Sequence, residues 1–539
     1  MCADLKVHMR NNKRRVLPNS KELVVNYNRR TPPETISEHN DPLRIDWTEI
    51  PSNPAEAPGF ITGKEALRIP DDSIPRYRLF WPLHQGWYNE HDYKEKKGIY
   101  DDISTIIEEA IKNQLNLPRK REWMQYGCVF VLPDLYERQY VFQSLEMLMR
   151  DFGFGRVCFI QESLAATFGA GYTNACVVDI GAQKTSICCV EEGMCVENSR
   201  INLKYGGADV TETFIKMMLF DHFPYADINL NRRYDFLLAE EIKSKFCTLN
   251  EAEISVQLFD FHLRAHGQDT RKYTFKTYDE VLLAAQGYFQ PTIFDNSQKL
   301  RGRRKLIDRS YDLYDGSPND PTSAAQSEIV LMLSPNIPPV PSSNPALAPA
   351  PNSEQANGQG LSTPARQLAN SISRFNEADR MSSSAVGTPA PENDDDTPTP
   401  AADGANPTPT LANLSPSLRD DVLPIIPLDT AILTSITHGA RGDERKIRDL
   451  LTSVLVIGGG SQVPGFYTFL EQKLKNIKPS SVKDVVIGTP PRELDPQGVV
   501  WKGGSVFGKL RGTNDSWISR VEWDRLGARV LVHKCMWAW

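Results

Sequence analysis

The 539-residue chain lacks the features of a secreted or membrane-spanning protein. It has no apolar run of about 18 residues, and its first residues do not follow the pattern of a secretory leader. We therefore expect no membrane segment. The net charge of −7 excludes a protein that is basic throughout, so any contact with nucleic acid must come from local patches.

Cysteine is scarce and shows no ligand pattern. The nine cysteines are odd in number, and none forms a Cys-x-x-Cys pair. This usage predicts free, mostly buried thiols in a reducing compartment. The histidines show no metal-ligand spacing, and neither a Ser-His-Asp order nor a nucleophile elbow is present. We therefore predict no metal centre built from protein side chains and no nucleophilic catalysis.

Three glycine-rich turns are the most informative feature that the chain does have. The first follows a buried-strand run at 175–180, the second opens a helical pattern, and the third follows an apolar run at 454–457. Glycine lets the backbone approach a phosphate or a purine, and N–H groups at a helix start favour anions. The turns contain, in chain order, Asp179, Gly181 and Thr185; Gly206, Gly207 and Asp209; and Gly458 and Gly459.

The order of these turns resembles the superfamily of actin, the heat-shock ATPases and the sugar kinases. The segments 501–505 and 517–527 are similar to the closing segments of actins. The resemblance implies an α/β, actin-like fold of two lobes that close on ATP, with Mg as its companion ion. Two further segments, 132–136 and 181–193, are similar to the eighth class of actin-related proteins.

That class implies a nuclear subunit of the INO-type (Ino-eighty) chromatin-remodelling complex. The implied partners are a helical segment of the remodelling ATPase, nuclear actin, another actin-related protein, histones and linker DNA. The implied processes are nucleosome sliding, transcription regulation and DNA repair. The proline- and asparagine-rich composition of the 298–422 region predicts a fungal member.

Composition divides the chain into six segments. A polar, irregular N-terminal segment is expected at 1–55, and a basic, low-complexity, disordered insertion at 298–422, because few of its residues can form a core. The remaining segments are the first part of the large lobe at 56–168, the smaller lobe at 169–297 and 423–497, and the return to the large lobe at 498–539.

The match to the actin nucleotide site is mixed. The resemblance assigns nucleotide binding to the eight turn residues named above and to Lys243, which matches the lysine that flanks the adenine. Gln161 matches the family's water-positioning glutamine. However, Ala182 replaces an acid of the phosphate turn and Gln183 replaces a glycine. We therefore predict ATP, with Mg if it binds, as a structural cofactor, and no efficient hydrolysis.

The family's first phosphate turn has no counterpart in the sequence between Met1 and Phe60. No Asp-x-Gly strand-turn-strand pattern occurs there. Either this chain starts late, or the protein lacks half of its phosphate clamp. The two alternatives stay open from the sequence.

A dense basic run precedes the low-complexity region and is the best candidate for contact with DNA. An exposed cluster of this kind can neutralise several phosphates, although a nuclear-import signal or a solvated loop would look the same. The run consists of Lys299, Arg301, Arg303, Arg304 and Lys305.

Two classes of function remain. The favoured one is a non-catalytic structural and nucleosome-binding subunit of a remodeller. The alternative is an actin-fold, ATP-binding protein with weak ATPase activity whose nucleotide state controls assembly.

Overall fold

The computed structural model describes residues 5–7, 19–309, 311, 322–334 and 420–535. All of them fall within one unit, formed by 1–337 and 414–539, and a second unit at 338–413 lies outside the described residues. The helices are α1 Ser20–Asn28, α2 Gly63–Leu67, α3 Lys96–Gln114, α4 Arg138–Glu146, α5 Glu162–Ala170, α6 Gly207–Phe220, α7 Arg233–Phe246, α8 Glu280–Leu283, α9 Ala324–Met332, α10 Leu428–Ala440, α11 Glu444–Leu451, α12 Phe466–Ile477, α13 Val499–Phe507, α14 Arg520–Leu526 and α15 Leu531–Lys534.

Within the described residues, the strands form four sheets. The largest has the order β13-β12-β6-β7-β8, with β9 also paired to β7, and the others are β1-β11-β10, β14-β5-β4 and the hairpin β2-β3. The bounds are β1 Glu34–Ile36, β2 Leu83–His84, β3 Trp87–Tyr88, β4 Gly127–Leu132, β5 Arg156–Gln161, β6 Ala175–Ile180, β7 Thr185–Glu191, β8 Met194–Cys195, β9 Ile201–Leu203, β10 Gln257–Leu263, β11 Thr270–Thr277, β12 Val454–Ile457, β13 Ile487–Gly488 and β14 Ile518–Ser519.

The largest sheet brings two of the predicted turns to one edge. Strand β12 runs parallel to β6, with Ile457 beside Asp179. Because parallel strands end at the same edge of a sheet, the turns that follow β6 and β12 emerge next to each other. Every residue of β12 is buried, as is typical of a parallel pair covered on both faces.

The second lobe is built on the β14-β5-β4 sheet, in which β4 and β5 are parallel. Helices α5 and α13 cross it in close contact. A Cβ on Gly503 would overlap the carbonyl oxygen of Ala165, and a Cβ on Gly169 would overlap that of Val499. The two glycines therefore let the helix backbones touch, which explains the glycines in the actin-like 501–505 segment.

Two predictions about irregular segments are wrong. The N-terminal segment is not irregular throughout, because Val24 of α1 is fully buried and β1 pairs with β11. The insertion is not disordered throughout, because α9 is a helix with Ile329 fully buried. Ser323 caps α9 by accepting the N–H of Gln326. Residues 335–419 of the predicted insertion lie outside the described residues.

Candidate functional site

The first and second predicted turns are in direct contact. The Gly207 N–H donates to the Gly181 carbonyl at 2.9 Å, and the Ala208 N–H donates to the Ala182 carbonyl at 2.7 Å. A Cβ on Gly206 would overlap both carbonyls, so only glycine allows this approach. The turn between β6 and β7 is therefore held by the start of α6.

The third turn packs on the other side of Asp179. Gly458 has φ of +89°, in the left-handed region, and a Cβ there would overlap Asp179 Oδ1 and the Ile180 carbonyl. From α7, the Lys243 ammonium donates to the Gly207 carbonyl at 3.4 Å and to Glu240 Oε2 at 2.7 Å. The structure thus brings the three predicted turns and Lys243 together at one place, which we call the cleft.

Two of these side chains support the turns instead of facing the cleft, and their prediction as direct contacts is corrected accordingly. Thr185 is fully buried and donates from Oγ1 to the Tyr205 carbonyl at 2.9 Å. Asp209 is buried, accepts the Gly206 N–H at 2.9 Å and forms an ion pair with Lys299. Both polar groups are satisfied within the protein.

A charged cluster lies beside the phosphate turn. Lys184 Nζ, from the turn itself, donates to both carboxylate oxygens of Glu162, at 2.7 and 2.9 Å. Asp179 and Asp134 lie within electrostatic range of this pair. Lys184 therefore serves as a common cation for three acids, an arrangement that the sequence analysis did not assign.

Burial raises the pKa of Asp179 to about 7, and the neighbouring Glu162 charge adds to the shift while Lys184 opposes it. Burial and Glu162 also raise the pKa of Asp134 to about 7, against hydrogen bonds from Ser163 and the charge of Lys184. The cluster beside the phosphate turn therefore contains acids that titrate near neutral pH.

Gln161 ends β5 and lies next to this cluster. Its side chain is buried and donates from Nε2 to the Asp134 carbonyl at 3.2 Å. This hydrogen bond holds the Gln161 side chain against the segment that follows β4. Its action on a water molecule stays a prediction.

The hairpin β2-β3 covers the phosphate turn. The Gln85 N–H donates to Gln183 Oε1 at 3.0 Å, and the Gly86 backbone packs against the Lys184 side chain. Within the described part of the chain, β4 is the edge strand of its sheet, and no further hairpin extends that sheet. The two explanations for the missing first turn therefore stay open.

The site offers accessible turn backbone but no complete hydrolytic metal site. Gly206 and Gly458 are required by contacts between the turns themselves, and Ala182 and Gly459 are exposed, which leaves the backbone of the first and third turns accessible to a ligand. Glu162 is already paired with Lys184, and Ala182 has no carboxylate. Among the described contacts, Asp179 has no ion pair and no side-chain hydrogen bond, whereas the Asp134 carboxylate accepts two hydrogen bonds from Ser163. Asp179 is therefore the acid beside the turn that could face a hydrated Mg ion.

The predicted basic cluster is not exposed as a unit, and this part of the prediction is wrong. Lys299 is 7 % exposed and paired with Asp209. Arg303 and Arg304 form ion pairs with Asp420, and Arg304 also pairs with Glu137. Sequence density could not reveal these partners, because they lie about 90 to 170 residues away. Arg301 and Lys305 are exposed, and their contact with DNA stays a prediction.

Among the described residues, no helix is both long and apolar enough to cross a bilayer. One buried group, Asp134, Cys188 and Cys195, brings potential metal ligands within 4.8 Å of one another. Burial raises the pKa of the Cys188 thiol well above its usual range, which favours the protonated form. The described cysteines are all free thiols, as predicted.

Comparisons with known proteins agree with this architecture. The family model "Actin" matches residues 97–315 and 431–536. The chain is 37 % identical to actin-related protein 8 of Schizosaccharomyces pombe, over 99 % of this chain and 74 % of the relative. It is 31 % identical to actin-related protein 8 of Salmo salar, over 97 % and 79 %.

A solved structure described as human actin-related protein Arp8 in its ATP-bound state superposes with a TM-score of 0.69. The identity is 25 %, and the match covers 98 % of this chain and 82 % of that one. The actin-like fold predicted from the three turns is confirmed. The chain belongs to the actin family, within the group of actin-related protein 8.

Proposed function

We propose that this chain is a non-catalytic, actin-like structural subunit of a nuclear, ATP-dependent chromatin-remodelling complex. In this role it binds histones and linker DNA and supports nucleosome sliding, transcription regulation and DNA repair. Its partners are a helical segment of the remodelling ATPase, nuclear actin and another actin-related protein. Membership of the actin-related protein 8 group supports the proposal.

The observation that carries the non-catalytic part is the composition of the phosphate turn. Ala182 supplies no carboxylate, and Lys184 is engaged by Glu162 at 2.7 Å. Phosphoryl transfer depends on a positioned metal and a positioned water, and the loss of an acid that positions the metal reduces the rate directly. The contacts among the glycine-rich turns do not depend on that acid.

We also propose that ATP binds in the cleft as a structural ligand, with Mg. The solved human relative is described as ATP-bound, which supports this assignment. Gly181, Gly207 and Gly458 would cradle the nucleotide, and Lys243 would flank its base. A bound nucleotide supplies negative charge and a rigid group that several turns can share, and therefore stabilises the closed fold.

An ATPase whose nucleotide state controls assembly remains the second candidate. It is favoured by Gln161, whose side chain donates to the Asp134 carbonyl, and by Asp179, which lies within electrostatic range of the Glu162–Lys184 pair. A purified chain that assembles into filaments with ATP, and not with a non-hydrolysable analogue, would support this alternative.

Affinity purification of the full chain from nuclear extract tests the complex assignment. We expect a remodelling ATPase, actin and another actin-related protein to co-purify in fixed ratio and to remain after nuclease treatment. Recovery of the chain alone, or with cytoplasmic partners only, would contradict the proposal.

Salt dependence of binding to a linker duplex tests the DNA contact. Each phosphate neutralised contributes about 0.9 to the log–log slope, so replacing exposed Arg301 and Lys305 by Ala should flatten it by up to about two units. Lys509→Ala, an exposed change elsewhere, is the control. An unchanged slope in the double variant would remove these two residues from the DNA surface.

A further inference from the structure

A second cavity, of about 120 Å³, lies behind the β2-β3 hairpin and outside the set of nucleotide turns. Residues from several parts of the chain line it, including the described ends of the predicted insertion. Its wall includes the basic residues Lys204, Arg303, Arg304 and Arg309, the acid Glu137 and the aromatic residue Trp87. Several basic side chains therefore lie close together in one cavity.

Two of these cations share one aromatic ring. Lys204 Nζ lies 3.9 Å from the centroid of the Trp87 ring, and the Arg303 guanidinium carbon lies 3.6 Å from it. Lys204 is 3 % exposed. Burial lowers its pKa well below the usual range, and the positive charge of Arg303 lowers it further. Burial also lowers the pKa of Arg303. The two groups therefore repel each other where water cannot screen them.

The hydrogen-bonding capacity of Arg303 and Lys204 is not fully satisfied within the protein. Arg303 Nη2 pairs with Asp420 at 2.8 Å, but its Nη1 is buried and has no hydrogen-bond partner. Lys204 donates to the Gln85 carbonyl at 3.1 Å, which carries no charge. Asp420 is shared with Arg304 and Arg309. An unmade hydrogen bond from a buried guanidinium is costly, so a ligand that accepts it would be bound favourably.

We propose that this cavity binds a phosphate group carried by a small, multiply charged molecule, at a site separate from the nucleotide cleft. The unused Nη1–H of Arg303 can donate to a phosphate oxygen, and the negative charge stabilises the protonated form of Lys204 and offsets its repulsion by Arg303. Arg304 and Arg309 also line the wall, where their charges are paired with Glu137 and Asp420.

Inorganic pyrophosphate is the probe, titrated calorimetrically into the full chain with ATP kept saturating. We expect binding to persist under ATP. Lys204→Gln and Arg303→Gln should each weaken it at least about tenfold, because each removes a charge-assisted hydrogen bond. Lys509→Gln, an exposed lysine outside the cavity, is the matched control and should bind as the parent does.

Arg303→Lys keeps the charge but removes the fork, and thermal melts establish that each variant is folded. We expect this variant to bind more weakly than the parent and more tightly than Arg303→Gln. Loss of pyrophosphate binding under saturating ATP would assign the effect to the nucleotide cleft and overturn the proposal. Equal affinity in the parent, Lys204→Gln and Arg303→Gln would overturn it as well. Binding of a glutamate-rich peptide in place of pyrophosphate would identify a carboxylate surface instead.

Discussion

Gly458 and Gly459 of the third turn differ in how much room each has for an added side chain. Gly458 has a left-handed φ and faces Asp179 and Ile180, whereas a Cβ on Gly459 would meet only the flexible Gln497 side chain at 3.2 Å. Gly458→Ala should therefore lower the free energy of unfolding by about 2 to 4 kcal/mol, through strain and overlap. Gly459→Ala should cost less than about 1 kcal/mol. Urea unfolding of both variants checks this, and equal losses would contradict it.

The raised pKa of Asp179 gives a pH dependence with a defined sign. Burial raises the folded-state pKa to about 7, above the unfolded value of about 3.9, so the folded state binds the extra proton. Its contribution is complete below the unfolded pKa and is lost as pH rises through about 7. Without nucleotide or metal, Asp179→Asn should be more stable than the parent by roughly 1 to 3 kcal/mol at pH 8.

The advantage of Asp179→Asn should shrink towards pH 5, where the parent residue is protonated in the folded state. Thermal melts at several pH values measure it. Asp484→Asn, at an exposed acid, is the control and should show no such trend. A constant difference across the range would mean that Asp179 is not the titrating group.

The sequence could predict the backbone of the site but not its charges. Gly181, Gly207 and Gly458 could be identified because glycine at a strand end or helix start has a local meaning. The Lys184–Glu162 pair could not, because it joins a turn to the first residue of α5, and spacing alone does not reveal that contact. The same limit applies to Lys299, because its ion-pair partner Asp209 lies far from it in the sequence.

At the scale of elements, the sequence predicts the continuously apolar strands but not the short helices and strands. The apolar runs that became β6 and β12 could be identified because buried parallel strands are continuously apolar. Helix α9 is short and follows a polar stretch of sequence, so its helical state depends on tertiary packing. The same reason explains why α1 and β1 are not predicted. Both are short and are stabilised by contacts with β11, which lies far away in the sequence.

Helix α9 offers a paired test of that packing. Ile329 is fully buried, whereas Met332, one turn later, is 51 % exposed. Ile329→Ala should lower the free energy of unfolding by about 2 to 5 kcal/mol, because it removes buried methyl groups and leaves a cavity. Met332→Ala should change it by less than about 1 kcal/mol. Similar values for both in guanidinium titrations would mean that α9 is not docked in solution.

At the scale of the whole molecule, the segment that directly follows the predicted insertion packs beside the second turn. The Lys204 N–H donates to the Pro424 carbonyl at 3.2 Å. The Tyr205 hydroxyl donates to the Ile426 carbonyl at 2.8 Å. Because Tyr205 directly precedes Gly206, this segment supports the start of the second turn.

The central claim is that the cleft holds ATP without hydrolysing it. The most direct measurement is to incubate the purified chain with Mg-ATP, separate free nucleotide by rapid filtration, and analyse both the retained nucleotide and the released phosphate. We predict about one intact ATP per chain, phosphate release at background, and no change in release on Gln161→Ala. Sustained phosphate release that is lost in Gln161→Ala would contradict the account and favour the ATPase alternative, and failure to retain ATP would remove its structural role.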